Sequence, residues 1–583
     1  MQNFNSLKTQ FEISAELPIG FPKNVEEEIK RFKKAVGAKK EERFVGATIG
    51  RPKSREKRGG CGSVPAITVG AERNHNTQRE NFSHLQIICI DPDGARDHDD
   101  AISVEETRNG FILGVHIADV SHFVAAGSAL DKEAEKRAFT QYLPWGSFPM
   151  LPEILSADLC SLVEGEDRYS FSCIITLDKK CRIEKYRFAK GLIKVSRSIT
   201  YRQAVELLDK KDKDIYLLSK VADLLKKQRT KNGLMEMGSL EYQCQFGKNG
   251  EPIKIVPRKG DISNSWIEEC MLAANKCCAL ELQKRKLAGI YRTHEAPDPE
   301  DIAELMKSEP SLFFDSPIDP NKLLKDYNTQ NTQDKRVFNL YAHLVKKAKD
   351  NPLLINKILR SMQKAKYSAD PLGHFALHWK DYAHFTSPIR RYADLWCHRE
   401  LAKAAGKKSG KVKDGYTAEL CDGLTESEIK NQKTERKSLK LCASYLLQNQ
   451  IGQTFNAEVQ GIEEFGIFIS ISNETVALAD GLVHLRDIPG DFYVYNQIRG
   501  TLVGRRTGRS FKRGDKIKVK LMKVNVLKGE NDFMIISGAK QEVNSAPPHR
   551  SHPSQGYPKQ QKSDQKNPAP KNSKPRRFGR RKP

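Results

Sequence analysis

At 583 residues the chain is long enough for roughly three or four folded units. Its 98 Lys and Arg against 73 Asp and Glu leave a net charge of +25, which points to a polyanionic partner, nucleic acid or anionic membrane. A 38% hydrophobic share with 25 Phe and 17 Tyr excludes wholesale disorder.

No apolar run approaches about 18 residues, and Met1-Gln-Asn-Phe-Asn has no charged region followed by an apolar one, so neither a membrane span nor a secretory leader is expected. The 12 cysteines are scattered without a C-x-x-C spacing and read as reduced core thiols. The composition therefore predicts a soluble cytoplasmic protein that handles nucleic acid.

In chain order, Val25, Ile29, Phe32 and Ala35 recur at helical spacing after Phe21-Pro22 and predict a short amphipathic helix. From Val36 to Asn81 the chain is basic and has little helix or strand period until Leu85, which predicts a long mobile loop; residues 1–80 are thus a linker helix and a loop. The apolar stretches Leu85–Ile90 and Gly110–Ala118 predict buried strands, and Ile267–Leu282 and Arg336–Ala348 predict helices. Strands and helices mixed over 81–405 without an obvious linker predict one large α+β domain. Gly406–Gly415 is Lys/Gly-rich and breaks the chain before a helix that runs to about Gln450, a helical connection over 406–452.

The texture changes at Gln453. Alternating runs at Thr454–Val459, Gly466–Ile471, Gly481–His484, Lys516–Val526 and Asp532–Ile536 predict a five-stranded OB-type barrel over 453–540. Lys516, Lys518 and Lys520 share one face of their strand and Ile517, Val519 and Leu521 the other, a basic surface backed by core. Phe465 and Phe468 are either core or aromatics that stack on bases, and the lysine face favours stacking; His484 joins them as a candidate RNA contact. The last 43 residues hold eleven Lys/Arg against Glu542 and Asp564, with one Tyr and one Phe. They predict a disordered basic tail, either a non-specific RNA tether, reaching structured or ribosome-associated RNA, or a solubilising segment.

The sharpest feature is Asp91-Pro-Asp-Gly-Ala-Arg-Asp97-His-Asp99-Asp100, five carboxylates in ten residues directly after an apolar strand. Each close pair costs about 1–4 kcal/mol if nothing neutralises it. Hard oxygens suit Mg²⁺ or Mn²⁺, and two such ions about 3.5–4 Å apart are the usual device for in-line phosphodiester cleavage. A calcium-loop reading fails because Arg96 and Ile102 stand where Gly and Glu are needed. A solvated acidic turn fits poorly with the apolar residues on both sides. Far downstream, Pro388 predicts a helix start whose amides favour phosphate. Arg390 and Arg391 would point about 100° apart on that helix, so one of them faces the site. A guanidinium there suits bidentate phosphate contact; the competing reading is ordinary pairing with Asp394.

Together these residues resemble the RNB exoribonuclease family, and more closely its ribonuclease R branch. The matching pieces are Ile90–Ala101, His116-Ile-Ala-Asp-Val-Ser-His-Phe-Val, Tyr142-Leu-Pro, Phe148-Pro-Met-Leu-Pro-Glu-Ile-Leu-Ser and Cys160-Ser-Leu. Glu268-Glu-Cys-Met-Leu-Ala-Ala-Asn, Tyr291-Arg-Thr-His-Glu-Ala-Pro, Tyr367-Ser, Gly373-His-Phe-Ala-Leu and Tyr382–Arg391 follow in the family's order, and the barrel resembles an S1 domain. The resemblance implies processive 3′→5′ hydrolysis of single-stranded RNA to nucleoside 5′-monophosphates with Mg²⁺; a monomer is expected, and the carboxylate chemistry favours two ions with Mn²⁺ as a substitute. It implies Asp91, Asp97, Asp99 and Asp100 as metal carboxylates, with Asp99 the most critical. Arg390 would steady the scissile phosphate, Tyr142 would stack on the 3′-terminal base, and Glu268 would lie near the terminal ribose.

Three departures stand out. Members of the family usually carry cold-shock domains ahead of the catalytic domain, where this chain has about 80 residues before the metal motif, so a shortened form or a truncated gene model is expected. Such a chain should grip long single strands less and exclude duplexes less. Arg79-Glu-Asn-Phe-Ser replaces an Arg-x-Asp-Leu-Arg pattern, and Lys440 stands where relatives often have Glu. The competing expectations are an RNA-binding protein without catalysis, which the intact carboxylates disfavour, and a DNA exonuclease, which they leave open.

Overall fold

The computed structural model describes residues 3–33 and 79–541, apart from 234, 236–240, 259, 330, 332, 350, 405–414, 478, 498, 499 and 539. Most of the predicted basic loop, Ala35, the Lys/Gly-rich break up to 414 and the tail beyond 541 lie outside the described residues.

Gly110-Phe-Ile-Leu-Gly-Val-His-Ile-Ala buries nearly every side chain, so its strand belongs in mid-sheet. The sheet has seven strands: β1 (Glu80–Asn81), β2 (Ile88–Asp91), β3 (Asp100–Thr107), β4 (Gly110–Ala118), β7 (Asp167–Asp178), β8 (Ile183–Lys194) and β9 (Arg197–Thr200). A separate hairpin, β5 (Gln141–Leu143) and β6 (Gly146–Phe148), falls between them in the chain. The order is β1-β8-β7-β4-β3-β2-β9, with β4 in the centre. The neighbours β3, β4, β7 and β8 run antiparallel, while β1 joins β8 and β9 joins β2 in parallel. β1 corrects the sequence reading, because the sheet already begins inside the stretch taken as loop.

Helix Ile262–Lys284, predicted over Ile267–Leu282, packs on β4 and β7 and buries Trp266, Ile267, Cys270, Cys277 and Cys278. The predicted N-terminal helix spans 23–33, and Val25, Ile29 and Phe32 enter the same core. A second cluster lies in a helical unit built around Lys335–Lys347, whose Val337, Phe338, Tyr341 and Leu344 meet Ile302 and Leu305.

A further hairpin, β10 (Glu241–Phe246) with β11 (Pro252–Arg258), and a two-stranded antiparallel sheet that pairs β12 (Tyr291–Thr293) with the distant β13 (Lys366–Ser368) precede the long helix Tyr416–Leu447. That helix feeds Leu441, Cys442 and Leu447 into the core of the C-terminal barrel. The barrel closes in the order β14-β15-β16-β21-β20, from β14 (Thr454–Glu463), β15 (Gly466–Ile471), β16 (Ala479–His484), β20 (Lys516–Asn525) and β21 (Glu530–Ser537). All five coincide with predicted runs. A four-stranded sheet, β17 (Tyr493–Asn496), β18 (Thr501–Gly504), β19 (Arg509–Phe511) and β22 (Lys540–Gln541), was not predicted. Its strands are too short to show a period, and its last one comes from beyond the barrel.

Helix Phe4–Ser14 was also missed. Phe4, Leu7 and Phe11 line one face and join the barrel cluster together with Leu143 of β5. Phe4 and Phe11 pack edge-on against Trp145, whose Nε1 donates to Glu12 Oε1 at 2.9 Å. The extreme N-terminal helix therefore anchors the β5–β6 hairpin against the barrel side of the molecule.

Candidate active site and nucleic-acid interface

The acidic loop leaves the sheet at Asp91, the last residue of β2, and returns at Asp100, the first of β3. Backbone bonds pin it: His98 N–H donates to Ser161 Oγ at 3.1 Å, Ser161 Oγ to the Arg96 carbonyl at 2.8 Å, and Leu162 N–H to the His98 carbonyl at 3.0 Å. Asp99 is thereby driven into the interior. Its Oδ1 accepts the Ile389 amide at 2.8 Å; its Oδ2 is buried without a hydrogen-bond partner, 3.6 Å from Arg390 Nε. Burial holds the Asp99 carboxyl well above the usual range in spite of Arg390. Burial, with Asp91 adding to it, pushes Asp100 up to about 7.

Asp91 Oδ2 accepts the Cys89 thiol at 3.0 Å and His98 Nδ1–H at 2.6 Å, and the bond from Asp91 raises the imidazole above its ordinary value. Asp97 Oδ2 accepts the hydroxyl of Tyr142 at 2.7 Å; the Tyr142 ring, on β5, is exposed. Arg390 Nη2 donates to Ser387 Oγ at 3.0 Å and leaves the rest of its guanidinium beside Asp99. Arg391 is locked on buried Asp394, at 2.9 Å from Nε and 2.8 Å from Nη2. One arginine faces the site and the other is an internal ion pair, as expected, but for a different reason. Residues 388–390 form a turn and the helix begins only at Tyr392. The amides near Pro388 are already used: Ile389 N–H serves Asp99, and Ser387 N–H serves Asp394 at 2.7 Å. A phosphate-binding helix start at Pro388 is therefore corrected to a carboxylate-holding turn.

The orphaned Asp99 Oδ2, among hard carboxylate oxygens whose burial disfavours negative charge, fits a divalent cation. The four aspartates are not drawn to one point, however. Among the described residues, the group of His, Cys, Asp or Glu donors all within 4.8 Å of one another is Cys89, Asp91 and His98. Sequence reasoning missed Cys89 and His98, although both sit within or beside the motif, because neither is a hard-oxygen ligand. It missed Trp145 because the partners of that residue lie some 130 positions away. Glu268 is 60% exposed, and its ion-pair partner is Arg229 at 3.4 Å; the same arginine grips buried Glu269 at 2.5 Å.

On the barrel, Phe465 and Phe468 are 55% and 40% exposed, with perpendicular rings 5.8 Å apart, so neither is core. Lys516 and Lys518 are exposed and Lys520 half-buried, alternating with buried Ile517, Val519 and Leu521. His484 Nε2 lies 3.5 Å from Asp532 at the end of β16. Among the described residues no helix is long and apolar enough to cross a membrane.

Comparison with known proteins matches the RNB domain over residues 79–407 and the S1 RNA binding domain over residues 448–535. Ribonuclease R of Thermotoga maritima is 35% identical over 496 residues, 81% of this chain and 67% of that protein. Mycoplasma genitalium RNase R in complex with ribose methylated single-stranded RNA is similar at a TM-score of 0.71 and 30% identity, over 81% of this chain and 74% of that one. Its complex with double-stranded RNA gives 0.69 and 25%, over 91% and 83%. The chain spans between 60% and 69% of the length of three curated relatives. It belongs to the RNB family, in the ribonuclease R branch.

Proposed function

We propose that the chain is a 3′→5′ exoribonuclease that hydrolyses single-stranded RNA processively to nucleoside 5′-monophosphates in cytoplasmic RNA turnover and quality control. The observation that carries the reading is buried Asp99, one oxygen unpartnered, beside a partly exposed arginine at the end of the sheet. Asp91, Asp97, Asp99 and Asp100 would hold Mg²⁺, with Mn²⁺ as a substitute. When bound, the metal neutralises phosphate charge and acidifies a water.

This chain's own residues supply the rest. Arg390, steadied by Ser387, offers N–H donors to a non-bridging phosphate oxygen and to the charge that develops there. Tyr142 offers an exposed ring to the 3′-terminal base, and its bond to Asp97 couples the position of the base to the carboxylates. The placing of Glu268 at the terminal ribose rests on family likeness. Phe465, Phe468, His484 and the lysines of β20 would hold the strand upstream of the site.

A denaturing-gel time course on 5′-labelled RNA and matched DNA, with Mg²⁺, with EDTA and with Asp99→Asn, tests this. Expected is an RNA ladder that shortens from the 3′ end only with metal and Asp99. Binding without degradation would overturn the reading and leave an RNA-binding protein; equal degradation of DNA would overturn the RNA specificity.

A further inference from the structure

Cys89 and Asp91 lie two residues apart on β2, so their side chains share one face of the strand. The acidic loop then doubles back and, pinned at Ser161, returns His98 to the same face. Two different proton donors consequently converge on a single oxygen: Cys89 Sγ at 3.0 Å and His98 Nδ1 at 2.6 Å from Asp91 Oδ2. One sulfur, one nitrogen and one oxygen all fall within 4.8 Å of one another. The Asp91 and His98 side chains are 23% and 13% exposed, which leaves an approach from solvent although Cys89 is fully buried.

Mg²⁺ has little use for two of these three donors. It seeks oxygen, whereas Zn²⁺ and its neighbours take thiolate, imidazole and carboxylate together, and open zinc sites use three protein ligands with a water in the fourth position. Any N/S site also prefers the later first-row ions. Here a thiol sulfur, an imidazole nitrogen and a carboxylate oxygen lie close enough together to share one ion.

We infer that Cys89, Asp91 and His98 form a binding site for a borderline-soft divalent ion of the zinc class, sharing Asp91 with the hard-oxygen metal set. Binding releases the thiol proton to solvent and leaves the imidazole neutral, with its remaining proton on Nε2; no electrons move. Because Asp91 serves both sets, such an ion withdraws that carboxylate from Mg²⁺ and acts as a brake on the nuclease. Ion binding stands independently of the proposed activity; only the braking rests on it.

The test is Co²⁺ titration of the full-length chain followed by absorption spectroscopy, with bound metal counted by equilibrium dialysis. A thiolate-to-cobalt charge-transfer band is expected that persists in excess Mg²⁺, disappears on adding Zn²⁺ and is absent from Cys89→Ser. His98→Asn keeps the thiolate and should weaken Co²⁺ binding at least as much as losing an outer-shell partner does, about 10–100-fold. Far-UV circular dichroism and thermal melting confirm that each variant folds, and if Cys89→Ser does not, the His98→Asn titration decides. Cobalt bound without the band, a band that survives Cys89→Ser, or unchanged affinity in folded His98→Asn would each overturn the site. Site-specific binding with undiminished Mg²⁺-dependent RNA degradation would overturn the brake.

Discussion

The acidic end of the sheet and the basic face of the barrel carry charge in opposite ways. At the sheet, Asp99 is buried with an unsatisfied oxygen, and Asp100 is pushed up to about 7 by burial and by Asp91. At the barrel, Lys516 and Lys518 stand in solvent while the alternate residues of the same strand fill the core. On the proposed function, the charge that acts on the reacting phosphate is set around a buried carboxylate, where each interaction is strong. The charge proposed to hold the RNA strand is left wet, where each interaction is weak and exchangeable. The first arrangement taxes the fold and the second scarcely touches it, so mutations in the two regions should differ in kind.

Asp99→Asn should have the largest effect. It removes a buried charge from the proposed metal set, and several kcal/mol of transition-state stabilisation corresponds to a fall of roughly 10³-fold in single-turnover rate. RNA affinity, measured by filter binding, should stay near wild type because the barrel is untouched. A parallel loss of affinity would break the division of labour between the two regions.

A pH experiment sharpens the same contrast. The folded value of Asp100 is raised from 3.8 to about 7, so its contribution to stability is complete below about 3.8 and is lost as pH rises through about 7. The metal-free chain should therefore melt lower at pH 8 than at pH 5 relative to Asp100→Asn, and Mg²⁺ should raise the melting temperature more at pH 8. A difference between wild type and Asp100→Asn that is flat across that window would contradict the burial argument.

Tyr142→Ala should cost about 1–3 kcal/mol of stacking on the terminal base, read as weaker quenching of a fluorescent 3′-terminal base analogue. Trp145→Ala should lose part of the same signal without touching RNA. Its ring is held by Phe4, Phe11 and Glu12, and it closes the turn of the hairpin that carries Tyr142. An unchanged signal in Trp145→Ala would show that β5 and β6 need no support from the N-terminal helix.

The smallest effects belong to the barrel. Removing Lys516 or Lys518 should lower the salt-dependence slope of binding by about 0.7 for each phosphate left without its lysine. Melting should barely change, since exposed substitutions usually fall within about 0.5 kcal/mol. Loss of stability comparable to a core mutation would show that these lysines support the barrel rather than the RNA.

Much of this organisation is legible along the chain because it is periodic over short distances. The alternation of Lys516 to Leu521, the continuous apolar run of Gly110–Ala118 and the five barrel strands follow from patterns of two, and helix Ile262–Lys284 from a long apolar span. The acidic motif announces its chemistry by density of charge, whatever the surrounding fold. What tertiary structure decided is which groups meet. Asp99 takes its amide from Ile389 and its cation from Arg390, both some 290 residues later, while Arg391 turns away to Asp394. Trp145 meets Phe4 and Phe11, and β22 completes a sheet begun nearly fifty residues earlier. Meetings of that kind leave no local period, because they are selected by how buried polar atoms and apolar faces are satisfied once the whole chain has closed around them.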